Sequence, residues 1–337
     1  IHLAKSRAVA EAYGKQPAHL VSTSFLTHAA IERHLAVSNN FGYDGPVMLS
    51  PGRSIAQRLV PMVRDLLFLW EETQQETLDE QKQKVREAVR GALMNWARDA
   101  GEGSDYSDNV PIQRFNPPGH WYEAPNLFRN GALARLLRER PDIETIMLHN
   151  IDTLGADLDP VALGHHLESG NVLTFEVVPR RIADSGGGLA RVGGRVRLLE
   201  GLAQPREEDE YKLRYYNSMT TWIQIDPLLA AFGLTRDDLY GPEDRIGEAA
   251  RAMAQRLPTY VTIKDVKKRW GHGQEDVYPV AQFEKLWSDM SGLADLQCGY
   301  LAVPRMRGQQ LKDPSELDPW ANDGSKDYVE KLCRFGS

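Results

Sequence analysis

With 337 residues, the chain is long enough to bury a large core as one big domain or two modest ones. Forty basic residues against forty-seven acidic ones give a formal charge of -7, which argues against broad nucleic-acid binding but allows a local basic pocket for phosphates. Cys298 and Cys333 form neither a disulfide framework nor a closely spaced metal site, and no apolar run is long enough to span a bilayer, so a cytoplasmic, small-molecule role with no membrane or nucleic-acid partner is expected.

The sequence opens on Ile1 inside a helical pattern, which implies residues upstream. Short β-branched runs at 19–25 and 46–49 read as strands, and 65–100 reads as helix with an alternating-charge, solvated centre at 71–84. A glycine-rich break follows at 101–105. Residues 126–140 place Leu127, Leu133, Leu136 and Leu137 along one helical stripe that Pro141 ends. Further strands are expected at 143–149, 171–178, 195–199 and 221–225. This alternation predicts an α/β fold, a mostly parallel or mixed central sheet flanked by helices.

In such a sheet, ligands bind beyond the C-terminal strand ends. The strand ending at His149 runs into Asn150 and Asp152. Asp152 is placed either to hold a divalent cation between phosphates or to cap a turn or the next helix. The run Pro117-Pro118-Gly119-His120 reads either as an ordinary loop or as a stiff approach whose glycine admits a flat or anionic ligand. Arg180 and Arg181, followed by Gly186-Gly187-Gly188, offer fork-shaped donors and a close-fitting loop; a hairpin of 189–192 with 195–199 accommodates the same residues. The adjacent His165 and His166 lack metal-ligand spacing, and the Lys264, Lys267, Lys268, Arg269 cluster reads as a solvated helix face. A P-loop, a dinucleotide glycine fingerprint, a nucleophile elbow and His-Glu-x-x-His are all missing from the sequence.

Taken in order, these segments resemble the eukaryotic-type UDP-glucose pyrophosphorylase family. Pro117-Pro118-Gly119-His120 and then Asn150-Ile151-Asp152-Thr153-Leu154-Gly155 are similar to the family's Pro-Pro-Gly-His and Asn-x-Asp-Asn-Leu-Gly. The run from Arg180 to Gly187, Leu199-Glu200 with Ala203-Gln204-Pro205, and Tyr216-Asn217-Ser218-Met219-Thr220-Thr221-Trp222 resemble three further family segments. Ser22 to His28, Val303-Pro304-Arg305 and Lys312-Asp313-Pro314-Ser315-Glu316-Leu317 complete the series.

The resemblance implies a Rossmann-like nucleotide-diphospho-sugar transferase (GT-A-like) architecture, with a catalytic domain at 1–312, a helical insertion at about 65–105 and a tail at 313–337. It implies transfer of a uridylyl group from UTP to a sugar 1-phosphate, with Mg²⁺ on Asp152. Gly119 would lie against the uracil, His120 near the phosphates, and Asn150 on the nucleoside. Glu200, Asn217, Thr220 and Gly187 would line the sugar pocket, and Lys312, Arg180 and Arg181 would meet the reacting phosphates. The family's glycine-rich nucleotide loop belongs upstream of Ile1, and its C-terminal β-helix domain beyond this chain. Met219 and Thr220 stand where the family has two asparagines, and Gly186 replaces a lysine. These departures point to a different sugar, a relaxed one, or an impaired nucleotide-sugar-binding or assembly module. Another nucleotide, or an N-acetylhexosamine 1-phosphate, is a further alternative. Oligomeric state is not legible.

Overall fold

The computed structural model describes residues 1–60, 111–182, 184, 186–204, 206–271 and 274–335, with isolated positions between 88 and 99. The break at 101–105 and, apart from those positions, the insertion expected at about 65–105 lie outside the described residues. The chain begins with α1 (His2–Tyr13), β1 (His19–Thr23), α2 (His28–Val37), β2 (Val47–Pro51) and the short β3 (Ala56–Gln57). Next come β4 (Phe115–Asn116), α3 (Glu123–Arg129), α4 (Ala132–Glu139), β5 (Thr145–Leu148), α5 (Pro160–Ser169) and β6 (Leu173–Pro179). The hairpin of β7 (Gly188–Val192) and β8 (Arg195–Leu199) precedes the long β9 (Tyr215–Gln224), α6 (Ile225–Ala231) and α7 (Glu243–Gln255). The hairpin of β10 (Tyr260–Gly271) and β11 (Gln274–Glu284), then β12 (Cys298–Ala302), α8 (Leu317–Asn322) and α9 (Ser325–Leu332), follow. The basic cluster at 264–269, expected on a helix, lies instead on β10 of this antiparallel hairpin.

The mixed α/β sheet expected from the pattern is present. Its spine is β12-β6-β9-β7-β8, with β5 also paired to β9, while β1 and β2 form a separate parallel pair. β6 and β9 are the central strands, and the sequence shows why. β6 is buried from Leu173 to Val178 and β9 from Ser218 to Ile223, so neither alternates between apolar and polar. On one face, Leu133, Leu137, Phe128, Leu228, Leu229 and Met253 bring α3, α4, α6 and α7 into the main core.

The helix expected over 126–140 is two helices. Gly131 takes φ 72°, and the Asn130 side chain accepts the Ala132 N–H at 2.9 Å, so the chain stops and restarts there. The leucine stripe is buried as expected. At the far end of the chain, Trp320, Val329 and Cys333 pack with Ala4 of α1, and the Trp320 indole donates to Gln310 O at 3.0 Å. Among the described residues, no helix is long and apolar enough to cross a membrane.

Beneath the sheet, Glu176 is fully buried and receives three donors. Arg307 supplies two, at 2.9 and 2.6 Å, and the Trp222 indole the third, at 2.9 Å. A buried carboxylate is tolerable only when its lone pairs are used in this way. The pair fixes the segment after β12 against the middle of β6 and β9.

Candidate active site

β6 and β12 are parallel, and β5 and β6 both run antiparallel to β9, so β5, β6 and β12 point the same way. Their following loops, 149–155, 180–187 and 303–312, therefore emerge together at the C-terminal strand ends, the usual place for a ligand crevice. The free edge of β9 pairs with β5 through Thr221 to Gln224 and with β7 only at Tyr216. Between those contacts the edge is open. Asn217 N–H donates to Gly187 O at 3.1 Å on one side of the opening. On the other, the register ends where Leu148 pairs with Thr221, two residues before Asn150. Met219 has φ 66°, a left-handed conformation that a non-glycine residue adopts at a cost of about 1–2 kcal/mol. Backbone strain of this kind concentrates at functional sites.

The Asp152 loop and the segment that carries Lys312 are brought together. Leu311 N–H donates to Asp152 O at 2.9 Å, Gly155 N–H to Gln309 O at 3.0 Å, and the Gln310 side chain to Thr153 Oγ1 at 3.2 Å. Gly155 is needed for this approach, because a Cβ there would overlap Met306 O. Lys312 follows directly and its side chain is exposed. The Asp152 Oδ1 atom is buried without a hydrogen-bond partner among the described residues, and the next helix, α5, is capped instead by Asp159, which accepts from Val161 N–H at 2.8 Å. Capping of the next helix thus falls to Asp159. An unused carboxylate oxygen fits a Mg²⁺ ion that takes most of its ligands from phosphate and water. Among the described residues no cluster of three or more His, Cys, Asp or Glu forms an all-protein metal cage.

The arginines behave differently from one another. Arg180 donates to Asp184 O at 3.1 Å, Glu210 at 2.9 Å, Gly186 O at 2.6 Å and Gly187 O at 3.3 Å. Through both terminal nitrogens it holds the glycine loop from inside, and its Nε is buried without a partner among the described residues. Arg181 is exposed, and its charge acts on Asp323. The hairpin reading of this region is the observed one, with Gly193 and Gly194 at φ 56° and 81° making the turn between β7 and β8. Gly186 and Gly187 lead into it.

Gly119 and His120 sit on a different support. Gly119 has φ 99°, and a Cβ there would overlap the Lys285 backbone. Trp121 N–H donates to Lys285 O at 3.2 Å, and Lys285 N–H to Pro118 O at 2.9 Å. His120 is driven toward its neutral form by burial, opposed by Glu284, and its Nδ1 has no partner among the described residues. Gly119 also lines a cavity of about 250 Å³ with Ser22, Gly52, Tyr122, Glu123 and Asn126. This is room for a ring-sized group at the C-terminal ends of β1 and β2. The Glu123 carboxyl is raised by burial, tempered by a hydrogen bond with Ser22, so it presents a polar group that resists ionisation.

The turn Trp287–Gly292 links this region to Glu200. Ser288 Oγ donates to Glu200 Oε1, Trp121 Nε1 contacts Met290 Sδ at 3.1 Å, and Gly187 packs so closely on Glu200 that a Cβ would meet its carboxylate at 3.0 Å. Burial raises the Glu200 carboxyl, and the neighbouring Asp289 is pushed up to about 6 by burial while Tyr260 OH donates to it at 3.0 Å. A contact path therefore runs from Gly119 through Lys285 and Ser288 to Glu200, Gly187 and Asn217. Thr220 is fully enclosed, and its Oγ1 has no hydrogen-bond partner among the described residues. His166, a weak metal candidate from sequence, is buried and bonded to Thr174 Oγ1 at 2.8 Å. Ser288, Asp289, Tyr260 and Glu123 carry no motif; only their burial in the fold reveals them.

The family model for UTP–glucose-1-phosphate uridylyltransferase matches residues 102–234, a span that holds Gly119, His120, Asn150, Asp152, Glu200 and Asn217. At the family level, the chain is a divergent match to the UDP-glucose pyrophosphorylases. It is 36% identical over 232 residues to the UTP–glucose-1-phosphate uridylyltransferase of Hordeum vulgare, covering 66% of this chain and 47% of the relative. It is 33% identical over 219 residues to that of Pyrus pyrifolia, covering 60% and 45%. The chain thus spans less than half the length of these curated pyrophosphorylases. Among solved structures, a variant of UDP-glucose pyrophosphorylase from Leishmania major in complex with UDP-glucose aligns at TM-score 0.54 and 17% identity, covering 90% of this chain and 55% of that one. The Trypanosoma brucei UDP-glucose phosphorylase aligns at TM-score 0.51 and 16% identity, covering 90% and 53%. At that identity the structural likeness carries the fold alone.

Proposed function

We propose that the chain is the core of an enzyme that transfers a uridylyl group from UTP to a sugar 1-phosphate, releasing pyrophosphate and a UDP-sugar. The observation that carries this reading is the junction of Asp152, with its unused buried oxygen, and the exposed Lys312 at the ends of strands that point one way. The 1-phosphate oxygen attacks the α-phosphorus in line; a new P–O bond forms as the α–β P–O bond breaks, and no protein nucleophile is required. Mg²⁺, held by Asp152, would neutralise charge on the phosphates. Lys312 supplies a point charge on the same side, and Asn150 offers donor and acceptor to the nucleoside. The cavity at Gly119 suits the base. Glu200, held by Ser288 and packed under Gly187, suits sugar hydroxyls, with Asn217 beside it. The two free thiols fit a reducing, cytoplasmic setting.

Full-length protein incubated with Mg²⁺, UTP and a panel of sugar 1-phosphates is expected to release pyrophosphate. Silence across the panel would overturn the catalytic reading. A second reading, a module that binds a nucleotide sugar without turnover, is favoured by one observation: Arg180 spends its terminal donors inside the protein. Calorimetry showing UDP-sugar binding in a protein that releases no pyrophosphate would establish it.

A further inference from the structure

Three arginines stand near the strand ends, and their hydrogen bonding separates them. Arg180 is saturated at both terminal nitrogens by three carbonyls and Glu210. Arg307, two positions beyond Arg305, binds Glu176 through Nε and Nη2 and Asp157 O through Nη2, and its Nη1 lies 3.6 Å from Asp159. Arg305 is less fully used. Its Nη2 donates to Asp184 Oδ1 at 2.5 Å, while Nε and Nη1 are buried and have no partner among the described residues. A guanidinium that leaves two of its three nitrogens unused in a buried position forfeits the bonds that repay its desolvation, unless something else supplies the acceptor.

Position points the same way. Arg305 leaves the C-terminal end of β12, in the loop that continues to Lys312, and faces the loop after β6 through Asp184. Its guanidinium lies over the Tyr216 ring at 5.8 Å, and Arg180 lies over the same ring at 5.4 Å. Both guanidiniums therefore lie against the same ring, one bound internally and the other with capacity in hand. Asp184 is itself tied down, since its Oδ2 accepts the Arg181 N–H at 2.7 Å. Asp184 therefore meets Arg305 through a single oxygen on Nη2, a charge-assisted contact of the kind a phosphate oxygen also makes.

We propose that Arg305, in place of Arg180 or Arg181, is the arginine that grips the phosphate oxygens of the ligand, and that Asp184 holds one of its terminal nitrogens until a polyphosphate displaces it. The inference rests on the pyrophosphorylase reading for the class of ligand, but its test does not require turnover. Inorganic pyrophosphate with Mg²⁺ is titrated into the full-length protein by calorimetry, alongside the Arg305→Met, Arg305→Lys and Asp184→Asn variants. Arg305→Met is expected to weaken pyrophosphate at least tenfold, with Arg305→Lys losing less because it keeps the charge without the fork. Asp184→Asn is expected to bind as tightly as the parent or more tightly, because the internal competitor is weakened. An unchanged affinity in Arg305→Met overturns the proposal. So does an Asp184→Asn variant that loses as much as Arg305→Met, since the pair would then be a structural tie. A parent protein that binds no pyrophosphate also overturns it. Pyrophosphate binding that depends on Arg305 in a protein without turnover leaves this inference standing and removes the catalytic one.

Discussion

Arg307 and Lys312 lie five residues apart on one segment, and they could hardly be placed more differently. Arg307 is buried and bonded to Glu176 and a backbone carbonyl, whereas Lys312 is exposed beside the Asp152 loop. The first half of the segment is foundation, clamped into the middle of the sheet. The second half is presentation, held over the strand ends by Leu311 and Gly155. A charge that serves the fold is surrounded by partners, and one that serves a ligand keeps its donors for it.

The sharpest way to break this comparison is to exchange the roles. Arg307→Met leaves Glu176 buried with only the Trp222 indole, and removing one partner of a buried pair costs about 3–5 kcal/mol. Denaturant titration should show that loss as a large fall in midpoint; a fall of under a third of it would mean that Glu176 is not held as described. Lys312→Met is expected to leave the melting transition in place while lowering turnover about 100-fold or more, equivalent to about 3 kcal/mol of barrier. If the lysine variant melts early instead, the presentation half is structural too.

Gly155→Ala sharpens the comparison at the joint between the halves. Its Cβ would overlap Met306 O, and relieving such backbone crowding costs about 1–3 kcal/mol. Hydrogen exchange should then show faster opening of the Leu311 and Gly155 amides, with the Glu176 region unchanged.

The smallest effect concerns the acids around Glu200. Asp289, pushed up to about 6, keeps a proton in the folded chain that the unfolded chain releases between about pH 4 and 6. Its ionisation therefore lowers stability as pH rises through that window, and the loss persists above it. Asp289→Asn should remove this slope and gain about 1–2 kcal/mol at pH 7 relative to the parent. The difference between variant and parent is the quantity to measure. Burial also lowers His2 to about 3 and His19 to about 4, so both lose stability as pH falls below about 6.5 and tilt the parent curve the opposite way.

Much of this arrangement was legible in the residues. The strand before Asn150, the hairpin after the arginines, and the leucine stripe of α3 and α4 follow from local pattern. The meeting of Asp152 with the segment at Lys312 followed from resemblance, because no local rule joins positions 160 residues apart. Arg180 shows the limit. Sequence marks it as a cation in a glycine-rich loop, but the acid that takes it, Glu210, arrives thirty residues later through tertiary packing. Thr220 illustrates another. On a strand buried on both faces, alternation no longer tells which hydroxyl faces a ligand. The Ser288–Asp289 pair lies in a 3-10 turn with no signature spacing, so only burial against Glu200 and Tyr260 discloses it.

The central claim is that Asp152 and Lys312 act on one metal-bridged polyphosphate. A double-mutant cycle on pyrophosphate release, with Asp152→Asn, Lys312→Met and the combined variant, tests it most directly. The account predicts that the double variant is scarcely slower than the worse single one. Two losses that simply multiply would mean that the two side chains serve separate sites, and would contradict it.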